Sequence, residues 1–202
     1  MPLLFARAAL FALLAALAAC GGGGVSLARP AAAAGPNPAS PTPAAWSPGA
    51  ATPSATATCN LPNFSTSVLA RVNQYRAAGA NCGSRGGFAA APALTWNSPL
   101  TQAADVHSRD MVAKNFFSHT GANGSNAGQR ITAAGYNWST YGENIAAGQS
   151  SINQVVDGWM ASDGHCANIM NAAFADIGVV CVAGNASTTN GRYWTMDLGK
   201  SR

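Results

Sequence analysis

Charge is scarce in this 202-residue chain: Asp, Glu, Lys and Arg together make up only 9% of it, and Glu143 is its single glutamate. Solubility therefore rests on Asn, Ser, Thr, Gln and exposed backbone. The few basic side chains are scattered, not gathered with aromatics into a stripe, which argues against a nucleic-acid partner despite a net charge of +4. No C-x-x-C pair occurs, so neither a thioredoxin-like redox site nor a zinc ribbon is indicated. The local zinc-hydrolase signature H-E-x-x-H is missing as well. No internal repeat is evident, and no apolar run makes a comfortable membrane span.

Among the features present, the amino terminus reads as an export signal. Met1 to Ala19 carries one positive charge, Arg7, followed by Ala, Leu and Phe. Its end, Leu17-Ala18-Ala19-Cys20, followed by Gly21 to Gly24, resembles a bacterial lipobox, in which the cysteine becomes the lipidated first residue of the mature protein. Gly21 in place of an acidic residue favours outer-membrane sorting in a diderm host, and a cut after Ala19 would instead give a soluble secreted protein. From Val25 to about Thr58 the chain is dominated by Ala, Pro, Ser and Thr. That composition buries too little large apolar surface to offset the entropy of ordering, so it reads as a spacer. The expected organisation is a signal over 1–19, an anchor cysteine and spacer over 20–58, and one domain over 59–202, displayed on the cell envelope or secreted.

Setting Cys20 aside leaves an even set: Cys59, Cys82, Cys166 and Cys181. Four cysteines permit three pairings, of which Cys59–Cys82 with Cys166–Cys181 is the local one and the one expected here. Such crosslinks fit an exported domain.

Within the domain, Ser65 to Ala78 carries Val68, Leu69, Val72 and Tyr75 at helical spacing and ends before Gly79. Asn97 or Ser98, followed by Pro99, starts a second helix that runs to about Asn115, with Leu100, Ala103, Ala104, His107, Met111 and Val112 on its inner stripe. His107 there reads as a satisfied core histidine. Ser151 to Gln154 has capping-box spacing and opens a helix over Ile152–Met160 with Ile152, Val155, Val156 and Trp159 inward. A short helix, Asp163 to Met170, is expected to take Ser162 as its cap and to hold His165 in its first turn. Ile177–Val182 and Tyr193–Leu198 form a hairpin, and Tyr141–Ala146 makes another short strand. The class is α+β. Trp159 and Trp194 fall on core faces, and Trp138, in a polar loop, is the tryptophan left to solvent.

Several short stretches then occur in order: Asn73-Gln74-Tyr75-Arg76, Leu94-Thr95-Trp96-Asn97, Phe117-Ser118-His119-Thr120-Gly121, Gly142-Glu143-Asn144-Ile145-Ala146, Trp159-Met160-Ala161-Ser162, Gly164-His165-Cys166-Ala167-Asn168-Ile169-Met170 and Tyr193-Trp194-Thr195-Met196. In this order the chain, from about Leu61 to Gly199, resembles the CAP superfamily: the cysteine-rich secretory, antigen 5 and pathogenesis-related proteins with their bacterial SCP-domain relatives. The resemblance implies an α-β-α sandwich with a small, largely antiparallel sheet. It also implies a cleft where His119, Glu143 and His165 converge. Many eukaryotic members carry a second acid three residues after the tryptophan matched by Trp159, and here that position is Ser162.

Two imidazoles and one carboxylate form a set that can bind a divalent ion such as zinc with one position open, which makes His119, Glu143 and His165 the candidate metal ligands. The favoured reading is structural, with the lone glutamate fixing the loops around the cleft and any metal bound only weakly. No residue is assigned as catalytic. The leading functional expectation is a non-enzymatic envelope or extracellular binding module, tethered to a membrane, with a lipid, sterol-like or cell-wall ligand in a cleft of His119, Glu143, His165 and Ser162. The competing one is a metal-assisted peptidase or esterase using the same cleft, which lacks an obvious general base.

Overall fold

The structure, a computed structural model, describes residues 57–202. The expected export signal, Cys20 and the spacer up to residue 56 lie outside the described residues. The fold begins by Ala57, which is buried against Ala104 and Val180, and Thr58 pairs beside Cys181. The last two residues of the expected spacer therefore belong to the domain.

In chain order the elements are α1 (Phe64–Ala78), β1 (Ala80–Asn81), a 3₁₀ turn (Gly83–Arg85), β2 (Gly87–Phe88), β3 (Thr95–Trp96), α2 (Ser98–Lys114), α3 (Ala127–Ala133), β4 (Trp138–Ala147), α4 (Ile152–Met160), α5 (Asp163–Met170), β5 (Asp176–Ala183) and β6 (Arg192–Ser201). The α+β class holds. The main sheet has the order β3-β5-β6-β4, with β3 parallel to β5 and the other pairs antiparallel, and β1–β2 is a separate ribbon.

The caps act largely as the sequence suggests. The Asn97 side chain accepts from Leu100 N–H with Pro in the first turn of α2, and Ser151 accepts from Gln154 N–H at the head of α4. Two details differ. Gln154 does not reach back to Ser151; its Oε1 accepts from Ser150 N–H at 2.8 Å. Ser162 stands at the α5 N-cap without a side-chain cap bond, and the start of α5 is fastened instead by Asp163, whose carboxylate accepts from Ser84 N–H and Oγ–H at 2.9 and 2.6 Å.

Strand alternation sorts the interior into two layers. Trp194, Met196 and Leu198 of β6 join Ile177, Val179 and Cys181 of β5 beneath Phe64, Val68 and Val72 of α1, Val155, Val156 and Trp159 of α4, and Ile169 of α5. The opposite face carries Tyr193, Thr195 and Asp197 towards α2 and α3. Close approach there depends on Gly178: a Cβ at this position would lie 2.1 Å from Thr101 N, so α2 rests directly on the backbone of β5. On α1 the inward residues are Phe64, Val68, Val72 and Arg76; Leu69 and Tyr75 are only partly buried. The buried Arg76 guanidinium donates to the carbonyls of Pro92, Ile169, Asn171 and Phe174. Asn73 exchanges two hydrogen bonds with the Leu94 backbone. The Asn73-Gln74-Tyr75-Arg76 stretch thus stitches loops to the core.

The disulfides are Cys59–Cys181 and Cys82–Cys166, with Cα separations of 5.3 and 5.4 Å, which corrects the local pairing. The physical reason is the length of α1. Its 15 residues stand between Cys59 and Cys82 and separate its ends by about 22 Å at 1.5 Å per residue, so the short flanking segments would both have to double back along the helix to bring the Cα atoms within the roughly 7 Å a disulfide needs. The chain before α1 instead runs beside β5 at Cys181, and the loop after α1 docks on α5 at Cys166.

Candidate functional site

β4 is the outer strand of the sheet on the side where both helical layers reach its edge, and the cleft forms there. Glu143 comes from β4, His119 from the loop between α2 and α3, Arg130 from α3, and His165 from the first turn of α5. The Glu143 carboxylate is fully engaged. Its Oε1 lies 2.7 Å from His119 Nδ1 and its Oε2 2.6 Å from an Arg130 Nη. A carboxylate only accepts, so Nδ1 of His119 carries the proton and Nε2 is the nitrogen turned elsewhere. Arg130 also donates to the carbonyls of His119 and Ser125, at 3.0 and 2.8 Å, so one guanidinium holds the loop, the carboxylate and the imidazole together.

Burial pulls the Glu143 pKa upward, but the hydrogen bond from His119 and the charge of Arg130 outweigh it and hold the carboxyl below its usual range. The side chains of Glu143 and Arg130 are 3% and 5% exposed, against 55% for His119. A ligand entering the cleft therefore meets imidazole, with the carboxylate behind it. His165 lies on the other wall, partly buried. Its pKa is lowered by burial first and by neighbouring His119 second. It forms no side-chain hydrogen bond with Glu143 or His119. Its main chain is tied down: Asn144 Nδ2 donates to the His165 carbonyl, and Asn168 Nδ2 donates to Asn144 Oδ1 and to the Glu143 carbonyl. Beside His165 opens a groove of about 470 Å³ walled by Phe117, Ile145, Val155, Trp159 and Ser162.

The structure brings His119 and Glu143 into contact, while His165 and Ser162 line the neighbouring groove. Among the described residues, no group of three or more His, Cys, Asp or Glu side chains is placed to hold a metal ion. Both oxygens of Glu143 accept one hydrogen bond each, from His119 and Arg130. His119, Glu143 and Arg130 form an imidazole–carboxylate–guanidinium chain, and a second imidazole, His165, stands near enough to His119 for its pKa to be lowered by it. Ser118 accepts from Thr120 N–H, which leaves it a turn residue. His107 is fully buried. Its Nε2 lies 2.8 Å from the Ser118 carbonyl and must donate, while Nδ1 has no partner among the described residues, so the expected satisfied histidine is satisfied on one side only.

Sequence reasoning missed Arg130, Asn144, Asn168 and Asp197. Asn126 and Gln129 form a complete capping box at the head of α3, a signal that would have announced the helix carrying Arg130. Asp197 lies across from Glu143 in the β4–β6 register, fully buried, with neither oxygen hydrogen-bonded among the described residues. Burial, with the Glu143 charge next, pushes its pKa well above the usual carboxylate value.

A small α-β-α domain braced by two buried disulfides belongs to the class built for an oxidising compartment, secreted or displayed on a cell surface. Among the described residues no helix is long and apolar enough to cross a membrane. The chain belongs to the cysteine-rich secretory protein (CAP) family, whose model matches residues 69–198. It is 36% identical over 108 residues to the uncharacterized protein YkwD of Bacillus subtilis, covering 53% of this chain and 40% of that one. An outer surface protein of Borrelia burgdorferi shares the fold, with a TM-score of 0.50 and 22% identity over 55% of this chain and 80% of that one. An extracellular protein containing a SCP domain from Bacillus anthracis aligns at 30% identity and a TM-score of 0.48, over 55% of this chain and 35% of that one. The chain spans less than half the length of the curated relatives it matches.

Proposed function

We propose that the protein is a non-enzymatic binding module of the cell envelope or extracellular space, tethered through a lipid on Cys20 and holding its ligand between His119 and His165. The observation that carries this reading is the contrast in exposure within one hydrogen-bonded chain. The exposed His119 is fixed from behind by buried Glu143 and Arg130, and its neighbour His165 lines a largely apolar groove. That arrangement presents a fixed polar contact next to apolar walls, the usual make-up of a ligand site. It suits a lipid, a sterol-like molecule or an apolar part of a cell-wall component, the ligand types that the family resemblance brings with it.

Hydrolysis is the less favoured use of the same cleft. Glu143 is held as a buried, ion-paired carboxylate with its pKa lowered, and so lacks both the raised pKa and the access of a general base.

The test is native mass spectrometry of the full chain recovered from its own envelope, beside His119→Ala and His165→Ala forms. The proposal expects a lipid adduct on Cys20 and a co-purifying small molecule in the parent that both variants lose. Recovery of the parent with no bound molecule, after exposure to host lipids and wall fragments, would remove the ligand-cleft reading.

A further inference from the structure

On the far side of α3 from Arg130 lies a second concavity, of about 440 Å³, lined by Asn126, Gly128, Gln129, Thr132, Trp138 and Tyr141 along with Ala133. Trp138 is not in a polar loop, as the sequence suggests; it opens β4, and its ring is half-buried. Its indole N–H donates to Thr132 Oγ1 at 2.9 Å, and the ring meets Tyr141 edge-on with centroids 4.7 Å apart. Tyr141 in turn lies flat on the helix at Gly128, where a Cβ would come within 2.7 Å of the ring. Both aromatics are therefore held in place before any ligand arrives, which lowers the ordering cost of stacking something on them.

The polar rim is as specific as the aromatic floor. Asn126 and Gln129 spend their amide oxygens on the capping box: Asn126 Oδ1 accepts from Gln129 N–H and Gln129 Oε1 accepts from Asn126 N–H, each at 2.9 Å. Their NH₂ groups have no partner among the described residues, and both side chains are exposed at the groove. The rim thus offers amide donors whose own acceptors are already used. No charged side chain lines the groove. A ligand that matches must be uncharged, must present an apolar face to aromatic rings, and must carry acceptor oxygens at its edge. A pyranose with an acetamido group has all three: a C–H face, ring and hydroxyl oxygens, and an amide carbonyl.

We propose that this groove is a second binding site, separate from the His119–His165 cleft, for an N-acetylated hexopyranose unit of an extracellular polysaccharide. The capping-box amides donate to its oxygens while the Trp138 ring, braced edge-on by Tyr141, takes its apolar face. The same seven-residue helix then serves two sites, Arg130 inward to Glu143, and Asn126, Gln129 and Thr132 outward.

The experiment titrates the full chain with an N-acetylglucosamine tetramer and, separately, with the N-acetylglucosamine–N-acetylmuramic acid disaccharide whose lactyl carboxyl is capped as its methylamide, each to about 10 mM, reading the Trp138 indole N–H resonance. The two arms separate a plain N-acetylglucosamine polymer from peptidoglycan as the source. Asn126→Asp with Gln129→Glu keeps both cap acceptors and removes the NH₂ donors, so the fold is retained while the rim changes. The expected result is saturable movement of the Trp138 signal by at least one sugar, with affinity about tenfold weaker in the double variant at unchanged Tm. Trp138→Ala is expected to abolish the response to sugar in the remaining fluorescence. A flat titration with both sugars, or undiminished affinity in the double variant, overturns the proposal.

Discussion

The two faces of β6 hold up the same sheet by different physics. On one, Trp194, Met196 and Leu198 sit in a dry apolar layer with α1, α4 and α5; on the other, Thr195 and Asp197 face a buried polar layer. There Ser108 and Thr195 share a hydrogen bond of 2.7 Å, and Glu143, Arg130 and His107 are all nine-tenths buried or more. The dry face is stabilised by area and packing, where each residue contributes a share and neighbours relax a little when one is lost. The polar face is all-or-none, because a partner removed leaves a charge or donor stranded in low dielectric. The cleft has grown from the second kind of interior.

The largest effect expected is on the dry face. Trp194→Ala should destabilise by about 4 kcal/mol through lost transfer energy and a residual cavity, read from urea unfolding with the m-value unchanged. Almost as large, Arg130→Ala should cost about 3 kcal/mol by leaving the buried Glu143 carboxylate without its cation. The comparison is sharpened by the double change Arg130→Met with Glu143→Gln. It should recover most of the Arg130→Ala loss, whereas no second substitution short of refilling the cavity should rescue Trp194→Ala. If the Arg130→Ala and double forms unfold at the same urea concentration, the polar face is not an all-or-none pair.

Smaller and pH-dependent effects come from the histidines. Burial lowers the pKa of both His107 and His165 below the ordinary histidine value of 6.5. The unfolded chain therefore takes up protons before the folded one does. Their contribution to stability is present in full above pH 6.5 and is lost as pH falls through the folded values. Thermal unfolding followed from about pH 7.5 to about 5 should show Tm dropping with acid, and His107→Gln should flatten that slope. Glu143, with its pKa lowered, acts later: its contribution holds above its unfolded value of 4.5 and is lost as pH falls further. The smallest effect belongs to Asp197. Its raised pKa means that the fold favours the neutral acid, a contribution lost as pH rises through the folded value. Asp197→Asn, which keeps a neutral side chain of the same shape, should therefore shift stability by no more than about 1 kcal/mol, checked by urea midpoints. A loss as large as that of Arg130→Ala would mean that an ionised Asp197 is part of the network.

The dry face was legible in the sequence and the polar one was not, for a physical reason. Apolar periodicity gives a direction, so Val68, Val72, Val155, Val156 and Trp159 announce their own burial, and the caps at Asn97 and Ser151 mark where two helices begin. A buried polar residue looks the same in one dimension as a solvated one. Arg130 resembles any surface arginine until Glu143 is known to stand opposite, and Asp197 resembles the outward residue of a half-wet strand. His119 and Glu143 could be brought together only through the family resemblance, since 24 residues separate them. The crosslinks were illegible for a related reason: nearness in sequence gives no nearness in space when a helix stands between Cys59 and Cys82.

The Cys59–Cys181 bond also has a mechanical consequence. Tension applied to the chain ahead of Cys59 and resisted beyond β6 passes straight across the sulfur bridge into the middle of the sheet, and the loop closed by these cysteines, 122 positions apart, cannot be drawn out. Within the domain the chain after Cys181 is what can lengthen under load, so β6 would peel away while the helices, with Arg130 and His165, stay enclosed behind the bridge.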